Sequence, residues 1–220
     1  MHPVSTPAWI GERALFRFED ISLKSTALIV VDMQVIFVEE GQRFAKDHSA
    51  SIIPNINSLS AAVRKGGGTV VFTRHTTRDE PPYAMPTWHL AQPRLKELID
   101  LFYPGTRAHE IDSRMDARPE DVIVDKYRYS ALTHNSSRLN QVLAERDIDT
   151  VIVVGVATNC CCETTARDAS QLGYKTFFIT DATATLTDDE HNAALVNLGA
   201  IFADARSTRD MLDLCERAGV

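Results

Sequence analysis

A chain of 220 residues, 44% hydrophobic and 24% charged, is long enough to bury a core of its own and too ordinary in composition to stay unfolded, so one compact domain is expected. A formal charge of -7 with no dense Lys/Arg patch excludes nucleic acid and anionic membrane surfaces as partners and points to a small molecule. The N-terminus MHPVSTPAWIGERALFRFED lacks a secretory signal, no apolar run reaches a membrane span, and three of the four cysteines are contiguous rather than spaced as a disulfide framework, so a cytoplasmic protein with reduced thiols is expected.

Residues 1–24 read as an N-terminal arm, with Trp9 to Phe18 suited to packing against another subunit, and residues 25–220 as the domain. Strand-like apolar runs then alternate with helical patterns. The strands are TALIVVD (26–32), TVVFT (69–73), DVIVDK (121–126), TVIVVG (150–155), KTFFIT (175–180) and AIFA (200–203). Helices are predicted at 51–65, 94–101, 136–145, 160–172, 188–198 and 208–217, the first of them ended by the triple glycine at 66–68. Alternation of this kind predicts a parallel sheet, and strands that are β-branched and almost continuously apolar need helices on both faces. The expected fold is therefore an α/β three-layer sandwich. One segment breaks the rhythm: HTTRDEPPYAMPTWHLAQP, from His75 to Pro93, is too long and too aromatic for an idle connection and reads as a binding loop.

In open parallel sheets the ligand crevice lies beyond the carboxyl ends of the strands, where the winding direction reverses. The first strand ends in Asp32, the third in Lys126, and the fourth runs through a glycine turn into Cys160, Cys161 and Cys162. A carboxylate can take a thiol's proton, and an ammonium and a helix N-terminus stabilise the thiolate, so this set suits a cysteine nucleophile. A metal site made of the three cysteines fails on geometry, because successive helical residues point about 100° apart. Cys162 continues the small apolar stripe of Ala166 and Ala169 and should face the core, which leaves Cys160 and Cys161.

The segments ALIVVDMQ, DKYRYSAL and GVATNCCCETTARDA, in that order, resemble the three signature segments of the isochorismatase-like cysteine hydrolases, over a stretch from Ala27 to about Arg209. The resemblance implies a triad of Asp32, Lys126 and Cys161. It also implies a six-stranded parallel sheet in the order 3-2-1-4-5-6, a cis peptide at Val156–Ala157, and an oxyanion hole from the N–H groups of Ala157 and Cys161. The implied activity is cofactor-independent hydrolysis of a C–N bond in a small amide, ureide or carbamoyl compound, releasing ammonia through a thioester acyl-enzyme. A homodimer or homotetramer is implied as well.

Two branches of the family bear on the substrate. Nicotinamidases bind zinc through an Asp-x-His pattern after the second strand, whereas FTRHTTRDE contains no such pattern; no metal is expected, and His75 and His89 read as pocket or surface residues. Vinyl-ether hydrolases of the isochorismate type work without the cysteine, which Cys161 argues against. The run KYRYS resembles the K-x-R-Y-S of ureidoacrylate amidohydrolases. Arg74, Trp88, Arg128 and Tyr129 are candidate substrate-binding residues, each with an ion pair or packing role as its alternative. The rival from another class is a redox-sensing or binding protein on the same fold.

Overall fold

Six parallel strands run through the centre of the molecule in the order β3-β2-β1-β4-β5-β6. They are β1 (Thr26–Val31), β2 (Thr69–His75), β3 (Val122–Lys126), β4 (Thr150–Val156), β5 (Lys175–Ala184) and β6 (Asp204–Arg206). The computed structural model describes residues 17–42, 47–84, 86–93 and 99–219. Most of the predicted arm, residues 1–16, and most of the predicted helix at 94–101 lie outside the described residues.

Alternate residues of each strand feed two cores. Leu28 and Val30 of β1 join Ile152, Val154, Phe177 and Ile179 on the face covered by α1 (Ile53–Lys65) and α5 (Thr208–Ala218). Ala27, Ile29 and Val31 join Val151, Val153 and Phe178 on the other face, under α2 (Leu139–Ala144), α3 (Glu163–Gln171) and α4 (Asp188–Asn197). In α1 the buried residues Ile53, Ile56, Leu59, Ser60 and Val63 form the stripe that a helix lying on a sheet requires. The helix stops at Gly66, and Gly67 turns the chain with φ +80°.

Four elements depart from the sequence expectation, the simplest being β5, which runs on past 180 to Ala184. The last strand is not 200–203 but Asp204–Arg206, because Leu198–Phe202 extends α4 as a wide π-helical turn. A four-residue apolar run cannot distinguish strand from helix end, and the real strand is hidden by its polarity: Asp204 and Arg206 are buried and paired at 3.0 Å. The Asp204 carboxylate also accepts the main-chain N–H groups of Arg17 and Phe18, which docks the described end of the arm on β6. The helix expected at 136–145 begins only at Leu139, since the Ser136 and Ser137 hydroxyls are donated to the carbonyls of Ser130 and Ala131. The helix expected from residue 160 starts as α3 at Glu163, preceded by a π-helical turn over Thr158–Cys162 that holds all three cysteines.

Candidate active site

Strand register brings the reactive side chains together. Val31 pairs with Gly155, so the residue after β1, Asp32, lies beside the exit of β4. Gly155 makes this approach possible: its φ is +112°, and a Cβ there would stand 2.1 Å from the Val31 carbonyl oxygen. His75 pairs with Lys126 at the ends of β2 and β3.

Asp32 ends β1 in the left-handed region, φ 50°, which few non-glycine residues adopt. Its carboxylate Oδ1 accepts the Thr73 hydroxyl at 2.8 Å, and its amide is donated to the Thr73 carbonyl at 3.2 Å. The other oxygen, Oδ2, lies 2.7 Å from Lys126 Nζ in an ion pair whose partners are 1% and 0% exposed. The Val156–Ala157 peptide before the cysteine turn is cis.

Lys126 is the hub of the cluster. Its Nζ is donated to Cys161 Sγ at 3.4 Å and to the Arg128 carbonyl at 3.1 Å, and it meets His75 Nδ1 at 3.3 Å. Burial pulls the lysine down, but the Asp32 carboxylate and Cys161 outweigh it and hold the ammonium above its ordinary range. The Cys161 thiol is pushed up by its hydrogen bond with Cys160 and by burial, against the pull of Lys126. At rest the thiol therefore keeps its proton. Asp32, His75 and Cys161 each place one donor atom within 4.8 Å of the others. That set could hold a cation, yet the Lys126 ammonium already touches all three, so the charge that a metal would bring is supplied by the chain.

Asp32 and Cys161 open into a cavity of about 190 Å³ walled by Val156, Ala157 and Cys160 and by five rings: Phe37, His75, His89, Phe102 and Tyr129. His75 packs edge-on against Phe102 with centroids 5.1 Å apart, and His89 lies tilted on Tyr129 at 4.5 Å. Burial first, then Lys126, pushes His75 well below the usual imidazole range; burial and Arg128 push His89 down too. Gln34 fixes the end of β2: its side chain accepts the His75 N–H at 2.7 Å and donates to the carbonyls of His75 and His109.

Of the other residues singled out in the sequence, Cys162 is fully buried in the core with its Sγ against the Val154 carbonyl, as its helical phase requires. Cys160 is half-buried and lines the cavity. Tyr129 stands in the wall. Arg74 does not: it pairs at 2.7 Å with Asp125, its register neighbour on β3. Arg128 is donated to the carbonyls of Pro82, Tyr83 and Tyr127, and lines with Trp88 an outer groove that shares His89 and Tyr129 with the cavity. Trp88 is 65% exposed. Sequence reasoning missed Phe37 and Phe102 as wall residues, and Gln34 and Thr73 as supports; only the Gln that follows Asp32 in the first signature segment offered a signal.

Comparison with known proteins agrees with this geometry. The isochorismatase domain model matches residues 26–210. The chain is 35% identical over 191 residues to nicotinamidase 3 of Arabidopsis thaliana, covering 85% of this chain and 87% of that one. It is 31% identical over 203 residues to the ureidoacrylate amidohydrolase RutB of Pseudomonas savastanoi pv. phaseolicola, covering 84% and 81%. Among solved structures, a cysteine hydrolase from Pseudomonas syringae pv. phaseolicola superposes with a TM-score of 0.84 at 30% identity, covering 94% of this chain and 99% of that one. Since the match takes in the whole sheet and the three strand ends that carry Asp32, Lys126 and Cys161, the chain belongs to the isochorismatase family and is a hydrolase.

Proposed function

We propose that the protein hydrolyses a carbon–nitrogen bond of a small amide, ureide or carbamoyl compound and releases ammonia, with Cys161 as nucleophile. The observation that carries this is the Lys126 ammonium, 2.7 Å from the Asp32 carboxylate and 3.4 Å from Cys161 Sγ, behind a cavity that both partners line. Nicotinamidase and ureidoacrylate amidohydrolase, the relatives named above, support the bond type by their names.

In the proposed sequence Asp32 takes the Cys161 proton as Sγ attacks the carbonyl carbon, and the electron pair of the C=O bond moves onto oxygen. Main-chain N–H groups of Ala157 and Cys161 stabilise that oxyanion. Collapse breaks the C–N bond while Asp32 returns the proton to the leaving nitrogen, giving ammonia and a thioester on Cys161. Water then attacks the thioester and gives one proton to Asp32, which passes it to the departing thiolate as the acid is released. Lys126 remains protonated throughout and balances whichever of its neighbours is negative.

A panel of small amides, ureides and carbamoyl compounds assayed for ammonia tests the reading. Turnover of one or more by the parent protein, absent in Cys161→Ala, is expected. Ammonia release that survives this substitution would contradict it. In the assembled protein we expect two or four copies of the chain, with residues 1–24 as an arm beside the domain.

A further inference from the structure

We propose that the ring-walled cavity selects uncharged acyl groups, so that the substrate carries no carboxylate and the acid product is expelled by the cavity that bound the amide. The inference rests on the reading of the site as an amide hydrolase and concerns what that site admits.

The positive features of the wall carry it. Among the described residues, the polar side chains of the wall other than the Asp32 carboxylate and the cysteine thiols are His75, His89 and Tyr129. Both imidazoles are held neutral at physiological pH by burial and by nearby cations. Burial likewise pushes the Tyr129 phenol up to about 12, leaving it neutral. Phe37 and Phe102, stacked with centroids 5.7 Å apart, complete an aromatic enclosure. The Lys126 charge is matched by Asp32 at 2.7 Å.

A carboxylate placed among these rings would exchange its water for carbon-rich faces in a cavity of about 190 Å³. That volume is below the roughly 300–1,000 Å³ of pockets for drug-sized ligands, so an acyl group cannot easily hold its charge far from the wall. Arg128 lies in the outer groove, beyond the His89 and Tyr129 rings, with its guanidinium committed to the carbonyls of Pro82, Tyr83 and Tyr127. Hydrolysis changes the sign of this preference within one turnover: the neutral amide fits the wall, and the carboxylate it becomes does not.

The test compares isosteric pairs that differ in charge: 4-nitrobenzamide with 4-carbamoylbenzoate, and 3-nitropropanamide with succinamate. Ammonia release by the parent protein is followed. In any pair that is turned over, the neutral member should have the higher kcat/KM by on the order of a hundredfold, as expected for a carboxylate desolvated without a partner. Equal or better turnover of the carboxylate member overturns the inference while leaving the amide hydrolase reading intact. If no member releases ammonia, the hydrolase reading is in difficulty, and calorimetric binding to the same protein decides the inference alone. Tighter binding of the nitro compounds supports it; tighter binding of the carboxylates, or no binding of the nitro compounds at millimolar concentration, overturns it.

Discussion

The reactive end of the cavity and its aromatic wall are built from different kinds of chain. Asp32 follows β1 and Lys126 ends β3, on either side of β2, and Cys161 sits on the turn that follows β4, so sheet register sets their mutual distances. Four of the five wall rings come instead from short pieces between the long elements: Phe37 from the turn Val35–Val38, His89 from Thr87–Ala91, Phe102 from Ile99–Phe102 and Tyr129 from the loop after β3, while His75 ends β2. The proposed chemistry is thus held by the part of the fold that cannot change without breaking the sheet, and the proposed selection mostly by parts that can change freely.

Substitutions should separate the two regions. The largest effect is expected at the proposed nucleophile: Cys161→Ala should lower turnover by at least about 10⁴-fold, whereas Cys160→Ala, which removes a wall residue and the hydrogen bond that pushes the Cys161 thiol up, should cost about tenfold or less. Steady-state ammonia release on one substrate measures both, and comparable losses would erase the distinction. In the wall, Phe102→Leu keeps an apolar surface but loses the edge-on contact with His75. It should raise KM by about three- to tenfold with kcat nearly unchanged, the signature of lost ground-state binding. A kcat loss as deep as that of the nucleophile variant would show that the wall takes part in the chemistry.

How much of this was legible beforehand follows the same division. Strand-end residues could be located because long β-branched runs announce parallel strands, and the sheet then dictates which ends meet. The helical phase that placed Cys162 in the core was visible for the same reason. Phe37 and Phe102 could not be found, because nothing local in FVEE or LFYPG says that these segments fold back over the strand ends. For Arg74, a candidate with an ion pair as its alternative, the structure shows the ion pair: its register partner on β3 is Asp125, and pairing across parallel strands appears only once register is known. The last strand was misplaced because its buried ion pair makes it look like surface.

Smaller effects probe the wall through pH and metal. Burial is the leading cause that pushes His75, His89, His109 and His191 below the ordinary imidazole value of 6.5. The unfolded chain therefore binds protons below that pH that the folded chain refuses, so stability should fall as the pH drops through about 6.5 and keep falling until the folded-state values are reached. Thermal melts between about pH 7.5 and 5.5 read this directly; a Tm that rises on acidification would have the wrong sign. Dialysis against a chelator should leave turnover unchanged, because Lys126 already supplies the positive charge beside Asp32, His75 and Cys161. Loss of activity that zinc restores would show that the ammonium does not suffice.

The account turns on Lys126 acting on the Cys161 thiol. Its most direct test is the pH dependence of alkylation at Cys161, resolved from Cys160 and Cys162 by peptide mass spectrometry, in the parent protein and in folded Lys126→Met. Methionine keeps much of the buried stem and removes the charge 3.4 Å from Sγ, so the Cys161 pKa should rise and turnover should fall by about 10²- to 10³-fold. Arginine should not restore either property, since a planar fork cannot take the place of a compact ammonium between Asp32, His75 and Cys161. A thiol that titrates as in the parent, together with near-normal turnover, would place Lys126 outside the reaction and contradict the proposed triad.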